Sequence, residues 1–347
     1  MEATQQPDHN QRHQKSYAAE RQLVDNWIRN NPRKRRHAQF VADNPNATHI
    51  RPGYIKERRR AMKVSAALLR GDDPATVPPT NQMERHIVLS DLHYREYNER
   101  VYDPATNAHL IRKVAVHDSR ALAAAELFMR SWQPTHIHLN GDLIDFPQFS
   151  RFDKEDYENE GLEQDILGLR VILKRIRRNH PDAQIDYELG NHEERLERYM
   201  RQNAPALRWL TSLTFHAIFE AKELGITIYP YRERVPILPG VLEITHGDKI
   251  AQKSGYTGQR MLEAGVSGVS GHVHRLGMVF RTTRTGMTVW AEGGCLCSLE
   301  PSYVNSPNWQ QGIVAFYVDR PNARFHMDVV PIISGRIVYA GQVYEAA

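Results

Sequence analysis

The sequence predicts an α/β body preceded by a small, basic, helical region, and three observations lead there. Between Ile87 and Ser270, short apolar runs of strand length alternate with longer amphipathic runs of helical period. From Met278 onward one strand-like run follows another. Five of the apolar runs end on Asp, Asn or His, where a strand should give way to a loop. Alternation followed by repeated strands argues for an α/β fold whose later strands form a second sheet packed on the first.

A chain of 347 residues can bury a substantial core in one large domain or two smaller ones. No apolar run reaches the ~18 residues of a membrane helix. The polar start, Met1-Glu2-Ala3-Thr4-Gln5-Gln6, has no signal-peptide core. Cys295 and Cys297 are the only cysteines, which excludes a disulfide framework and makes a cytoplasmic location the expectation. They read as packed thiols, because a soft-metal site would want a second Cys pair. Residues 1–71 hold 15 Lys+Arg against 6 Asp+Glu, a net of +9, while the remainder holds 30 against 35, a net of −5. A basic head on a mildly acidic body suggests a polyanion partner such as nucleic acid; the plainer alternative is a solvated tail.

Taken in order, residues 1–15 are rich in Gln, His and Asn and are expected to be disordered. A helix begins at Ser16, with Tyr17, Leu23, Val24, Trp27 and Ile28 mostly at three- and four-residue spacings, and Asn30-Asn31-Pro32 stops it. A second short element spans 34–42. A third starts near Arg51-Pro52 and carries Lys56, Arg58, Arg59 and Arg60. Three short helices with a basic third are compatible with a helix-turn-helix module, and equally with a generic basic extension. Residues 72–85, polar and Pro-rich, read as a linker to the body at 86–347.

In the body, Ile87–Leu89 is a buried strand, and residues 94–116 are polar and irregular, a candidate lid. Asp118–Trp132 is an alanine-rich amphipathic helix, Thr135–Leu139 a strand, and 146–160 a polar loop. Leu162–Asn179 is a helix that Pro181 stops, Gln184–Leu189 a strand, and Glu193–Gln202 a helix. Residues 206–224 read as helical, then Ile226–Tyr229 and Val241–Thr245 as strands. The later strands fall near 278–283, 288–292, 312–318, 324–330 and 336–343.

The five strand ends are Ser90-Asp91-Leu92-His93, Asn140-Gly141-Asp142-Leu143-Ile144-Asp145, Leu189-Gly190-Asn191-His192-Glu193, Thr245-His246-Gly247-Asp248 and Ser270-Gly271-His272-Val273-His274. Ligands of open α/β sheets sit at such carboxyl ends. Together they offer Asp91, His93, Asp142, Asn191, His246, His272 and His274, more nitrogen and oxygen donors than one metal needs and no thiolate. Two divalent ions sharing one carboxylate would use the set fully. Imidazole with carboxylate suits Mn, Zn, Fe, Co or Ni better than Mg or Ca. Glycines 141, 190, 247 and 271 let the backbone turn where a side chain would obstruct.

The ordered set Asp-x-His, Gly-Asp-x-x-Asp, Gly-Asn-His-Glu, His and Gly-His-x-His resembles the calcineurin-like metallophosphoesterase superfamily over roughly residues 86–320. The resemblance implies a four-layer α/β/β/α sandwich of two packed mixed sheets with a two-metal site. By motif, Asp91, His93 and His274 would hold one ion, Asn191, His246 and His272 the other, and Asp142 would bridge them. His192 would be the catalytic histidine, with Asp145 as its carboxylate partner. The implied reaction is hydrolysis of a phosphate ester by a metal-bridging hydroxide, with Mn as the first choice of metal.

Arg195 and Arg275 are candidate substrate-binding residues, with surface salt bridging as the alternative, and Asp248 is a candidate partner for a ligand histidine. One departure bears on substrate. Phosphoprotein phosphatases of this superfamily carry Arg-Gly after the second Asp of Gly-Asp-x-x-Asp, whereas Phe146-Pro147 follows Asp145 here. With the basic head, this favours a phosphodiester in nucleic acid or a nucleotide. The alternatives are a phosphomonoesterase, protein Ser/Thr phosphatases included, and a DNA-binding protein with a non-catalytic metal site.

Overall fold

The computed structural model describes residues 22–31, 37–47, 50, 53–56, 58–59, 62, 83–151, 161–250, 253–284, 286–301 and 306–345. Residues 1–15 and most of the expected linker lie outside them; Glu84 and Arg85, expected in that linker, already belong to the first strand. The chain divides into a unit of residues 1–81 with 282–287 and a unit of residues 82–281 with 288–347.

The first unit holds helical residues 22–30, a helix at His37–Asp43 with a 3-10 turn at Pro45–Ala47, and helical residues 53–56, 58–59 and 62. Val24, Trp27, Ile28, Phe40, Ala47, Ile50 and Ile55 form its small core. Trp27 meets Phe40 edge-on at 5.3 Å and donates to Asp43 at 2.8 Å. Arg58 makes two hydrogen bonds to Asp25, and Arg59 donates to the Asn31 carbonyl and lies over Trp27. Arg58 and Arg59, expected on a polyanion-facing helix, are therefore engaged inside the unit.

The second unit is mixed α/β. Its strands are β1 (Glu84–Leu89), β2 (Glu96–Asp103), β3 (Ala108–Ala115), β4 (His136–Asn140), β5 (Gln184–Glu188), β6 (Ile226–Tyr229), β7 (Val235–Leu238), β8 (Leu242–Thr245), β9 (Ser267–Ser270), β10 (Leu276–Thr283), β11 (Gly286–Gly293), β12 (Gly312–Asp319), β13 (Arg324–Pro331), β14 (Arg336–Tyr339) and β15 (Gln342–Glu345). Its principal helices are α1 (Ser119–Trp132), α2 (Leu162–Asn179), α3 (Glu193–Asn203), α4 (Phe215–Ile218) and α5 (Tyr256–Met261). A six-stranded sheet has the order β13-β12-β1-β4-β5-β6 and a five-stranded sheet the order β10-β11-β9-β8-β7. β1, β4, β5 and β6 run parallel, as helical crossovers require, while β12 and β13 close the edge antiparallel.

Alternation along the strands assigns the two faces. Ile87, Leu89, Ile137, Leu139, Ile185 and Tyr187 join Leu122, Phe128 and Met129 of α1 and Leu169, Leu173 and Ile176 of α2 in the largest core. The opposite parity, Val88, Val314, Phe316 and Val318, joins Ile237, Ile244, Val269 and Ala291 of the five-stranded sheet. Met261 and Leu262 pack on Trp290 of β11. α1 begins where Asp118 accepts from the backbone N–H groups of Arg120 and Ala121, and it ends on Gln133 in the left-handed conformation.

Four expectations are corrected. Residues 94–116 are not irregular: β2 and β3 form a regular antiparallel hairpin. It buries little, so the sequence carries no apolar run to announce it. Residues 206–224 are two 3-10 turns, the four-residue α4 and a run of other turns, because Thr214 caps a new start and Trp209 stays 89% exposed instead of joining a helical stripe. The run 336–343 is two strands, because Ala340 and Gly341 both take positive φ in a two-residue turn. The later strands do not form one second sheet: β12 and β13 extend the first, whereas β10 and β11 join β7, β8 and β9.

Candidate metal centre

The loop tips after β1, β4, β5, β8 and β9 are laced together by backbone. The Asp91 N–H donates to Gly141 O, the His93 N–H to Asp142 O and the Tyr94 N–H to Leu143 O. Gly190 must be a glycine because a Cβ there would collide with the Asp142 carboxylate, and at Gly271 a Cβ would collide with Ser90 and Asp91. Asp91, His93, Asp142, His272 and His274 all take φ between 48° and 69°. Left-handed backbone is uncommon outside glycine, and its clustering on five candidate ligands marks a site where strain is maintained by the surroundings.

The carboxylates are fixed from behind. Asp91 accepts from Ser90 Oγ and from the His272 N–H at 3.0–3.1 Å. Asp142 Oδ1 accepts from the His192 N–H at 2.8 Å, and its Oδ2 faces His246 Nε2 at 3.3 Å and His93 Nε2 and His192 Nε2 at 3.9 Å. The His246 Nδ1 hydrogen bonds the Asn140 carbonyl at 2.7 Å, which turns Nε2 toward Asp142 and the Asn191 Oδ1 at 3.3 Å. His274 Nε2 stands 3.2 Å from Asp91 and 3.0 Å from His93 Nε2.

Two buried triplets result, each with its donor atoms mutually within 4.8 Å: Asp91, His93 and His274, and Asp142, His246 and His272. All seven predicted ligands thus converge, Asn191 through His246.

Electrostatics follow the same pattern. Burial opposes ionisation of Asp91 and Asp142, yet the facing imidazoles outweigh it, His274 and His246 respectively first, and hold both carboxyls below their ordinary range. Burial lowers His93, and it brings His272 down to about 4. His246 and His274 are raised against burial, by Asp142 and Asp91 respectively. The two carboxylates thus demand positive charge between them, from protons on His246 and His274 or from divalent ions. Buried nitrogen and oxygen donors aimed at a common point fit borderline divalent ions.

His192 adjoins both triplets, and with His93 and Asp142 it forms a further, overlapping one, so proximity alone does not separate it from the candidate ligands. Its Nδ1 meets Asp145 at both the carbonyl (2.8 Å) and Oδ1 (3.1 Å). Asp145 Oδ1 also meets His93 Nδ1 at 3.2 Å, so one carboxylate orients a candidate ligand and the candidate catalytic histidine together. Arg195 donates to His192 Nε2 at 2.7 Å and to the Asp145 carbonyl at 2.9 Å, which puts it in the site. Arg275 bonds the Val273 carbonyl locally, and Asp248 faces Arg232 at the surface at 4.0 Å instead of a ligand histidine.

The sequence reading passed over three contributors. Glu193 is fully buried and accepts from the N–H groups of Asp142, Leu143, Ile144 and Gly190 and from the Tyr187 hydroxyl, tying the β4 and β5 loops together. Its place in Gly-Asn-His-Glu was the available signal. Arg95, 4.0 Å from Asp145, and Trp309, 4.3 Å ring to ring from His274, line a cleft of about 350 Å³ with His93, Tyr97, Asp145 and Cys297. Neither carried a signal, since both lie outside the five motifs. Cys295 and Cys297 are buried free thiols, with Cys297 Sγ 3.8 Å from His274 Nδ1.

No family model matches the chain. It is 29% identical over 249 residues to the Gene 54 protein of Mycobacterium phage L5, spanning 67% of this chain and 95% of that protein. It is 28% identical over 248 residues to the Gene 54 protein of Mycobacterium phage D29, with the same coverage.

Proposed function

We propose that residues 82–347 form a binuclear metal-dependent phosphoesterase of calcineurin-like, four-layer α/β/β/α architecture that hydrolyses a phosphodiester in nucleic acid or a nucleotide. The observation that carries this reading is the pair of buried triplets, set side by side with Asp142 facing three imidazoles. The four-layer reading is supported by the three buried clusters, helix on sheet, sheet on sheet and helix on sheet.

Asp91, His93 and His274 would hold one ion, Asn191, His246 and His272 the other, and Asp142 both. Bound there, the ions neutralise phosphate oxygens and lower the pKa of the attacking water. Asp145 holds the proton of His192 on Nδ1, which reserves Nε2 for proton exchange with the leaving oxygen. Arg195 covers that atom until a phosphate oxygen draws the guanidinium away. Phe146, buried directly after Asp145, takes the place of the arginine found in phosphoprotein phosphatases, which favours a diester over a phosphoprotein.

The test is turnover of bis-p-nitrophenyl phosphate with Mn(II). His192→Ala is expected to lower kcat by ~10²–10⁴-fold, and Asp142→Asn to abolish turnover with loss of metal. Absence of turnover, or full activity in both variants, overturns the reading. Preference for p-nitrophenyl phosphate would transfer it to a phosphomonoesterase. DNA binding without hydrolysis of any ester would leave only a binding protein.

A further inference from the structure

The cleft of about 350 Å³ opens onto the triplet of Asp91, His93 and His274, with His93 and Asp145 in its wall. Much of the remaining wall is the β2–β3 hairpin. Tyr97 pairs with Val114 across the hairpin, and the Val116 N–H donates to the Arg95 carbonyl at 3.1 Å, which continues the ladder toward His93. Arg95 and Tyr97 on one strand and Val114 and Val116 on the other therefore turn alternate side chains to the same cleft. The buried Arg95 guanidinium lies 4.7 Å from the centre of the Tyr97 ring and 4.0 Å from Asp145 Oδ2, so it ties this aromatic wall to the site. Trp309 adds a second half-buried ring, 4.3 Å from that of His274, and the Gln310 N–H holds the backbone beside it on the His274 carbonyl at 2.9 Å. The charges of the wall are largely matched. Arg112 is paired with Glu99 and Lys113 with Glu96 at 2.6 Å, and Asp145 and Glu300 add two carboxylates. The basic side chains thus offer little net charge to a second anion, and the cleft presents aromatic and apolar surface from Tyr97, Trp309, Val114, Val116 and Pro301.

We propose that this cleft holds one unpaired nucleobase of the substrate, with Trp309 and Tyr97 as its stacking surfaces, while the attached phosphate lies at the candidate centre. The inference rests on the phosphodiester reading above and narrows its substrate. A flat, uncharged ring fits walls whose charges are matched, whereas a phosphopeptide would bring flanking charges that nothing here answers. Every base has a π-face, so stacking on protein aromatics accepts any of the four. Ligand pockets run from ~300 to 1,000 Å³, and a cleft at the lower limit admits a nucleoside but not a base pair still stacked in a duplex. The substrates are therefore nucleotides or single strands, or a duplex from which one base has been turned out. Arg95 is a positioning residue in this scheme, because it sets the Tyr97 ring against the site through Asp145.

The experiment measures binding to the full-length chain in Mn(II) by isothermal titration calorimetry, with methyl phosphate, 3′-AMP and 5′-AMP as probes. The tighter-binding AMP is expected to exceed methyl phosphate by ~10-fold or more in affinity. Trp309→Ala and Tyr97→Ala are each expected to cut that ratio by about fivefold or more, and Trp309→Phe, which keeps a ring, to restore part of it. Methyl phosphate reads the centre alone, so the ratio separates lost stacking from any disturbance of His274 beside Trp309, and Tyr97→Ala repeats the test away from the candidate ligands. Circular dichroism verifies folding of each variant. AMP binding no tighter than methyl phosphate, or a ratio that both alanine variants leave unchanged, overturns the cleft. The reading on which it rests is scored separately, by turnover of bis-p-nitrophenyl phosphate. Turnover with a failed ratio discards the cleft alone, and the expected ratio without turnover keeps the cleft as a nucleotide site and discards the hydrolysis.

Discussion

Histidines gather in two places, on loops at the carboxyl ends of strands from both sheets and along the strands of the first sheet, and the two places hold them by different means. At the carboxyl ends, the donors stand on loops. Asp91, His93, Asp142, His272 and His274 take left-handed backbone, and carboxylates hold the loops through backbone N–H groups. Behind them, His86, His136 and His138 stand on the strands themselves, and register and ring stacking set them. Loops can draw donors from five separate strand ends onto one point, at about 1–3 kcal/mol of strain per left-handed residue. Strands impose no such strain, but they offer donors only at the strand spacing. The first arrangement therefore suits a crowded two-ion site, whereas the parallel rings of the second point their lone pairs side by side and not at one ion.

The largest effect expected from breaking this contrast lies at Glu193. Its carboxylate satisfies four backbone donors and the Tyr187 hydroxyl, all at the loop-borne site. An unsatisfied buried donor costs about 1–3 kcal/mol, so Glu193→Ala should lower the unfolding free energy by roughly 3–5 kcal/mol in denaturant melts. A loss under about 1 kcal/mol would mean that the loops hold their shape without it. Next in size is Asp145→Asn, which weakens the orientation of His93 and His192 together. A drop of ~10–100-fold in metal affinity and activity is expected, as for carboxylates behind ligand histidines elsewhere. An unchanged metal affinity with reduced kcat would confine Asp145 to His192.

The two places also differed in how far the sequence revealed them. The loop-borne donors were legible because they close apolar runs, and in four of the five segments a Gly stands among them, so the motif, the turn and the chemistry coincide in a few residues. The regular helices were legible for a similar reason: α2 spans the expected Leu162–Asn179, its apolar period intact and Pro181 beyond its end. The stacked histidines were not legible. His86, His136 and His138 sit among apolar strand residues, and only the pairing of β1 with β4 brings them together. The β2–β3 hairpin was missed because its strands stay largely exposed, and the split at Ala340-Gly341 because a two-residue turn hardly interrupts an alternating pattern.

The smallest expected effect belongs to the strand-borne histidines and is read by pH. His86 is lowered from its ordinary value to about 4, by burial first and by His136 second, against the pull of Glu84. A histidine whose folded value is depressed favours the neutral form in the folded state. Its contribution to stability is complete above the unfolded value near 6.5 and declines as pH falls from there toward 4. By pH 5 the loss from His86 is about 1–2 kcal/mol. Urea unfolding midpoints measured on the stripped chain from pH 7.5 to 5 should therefore fall, and His86→Phe, which preserves the stack on His136, should fall less steeply. Parallel slopes for both chains would show that the stacked ring is not held neutral by its surroundings.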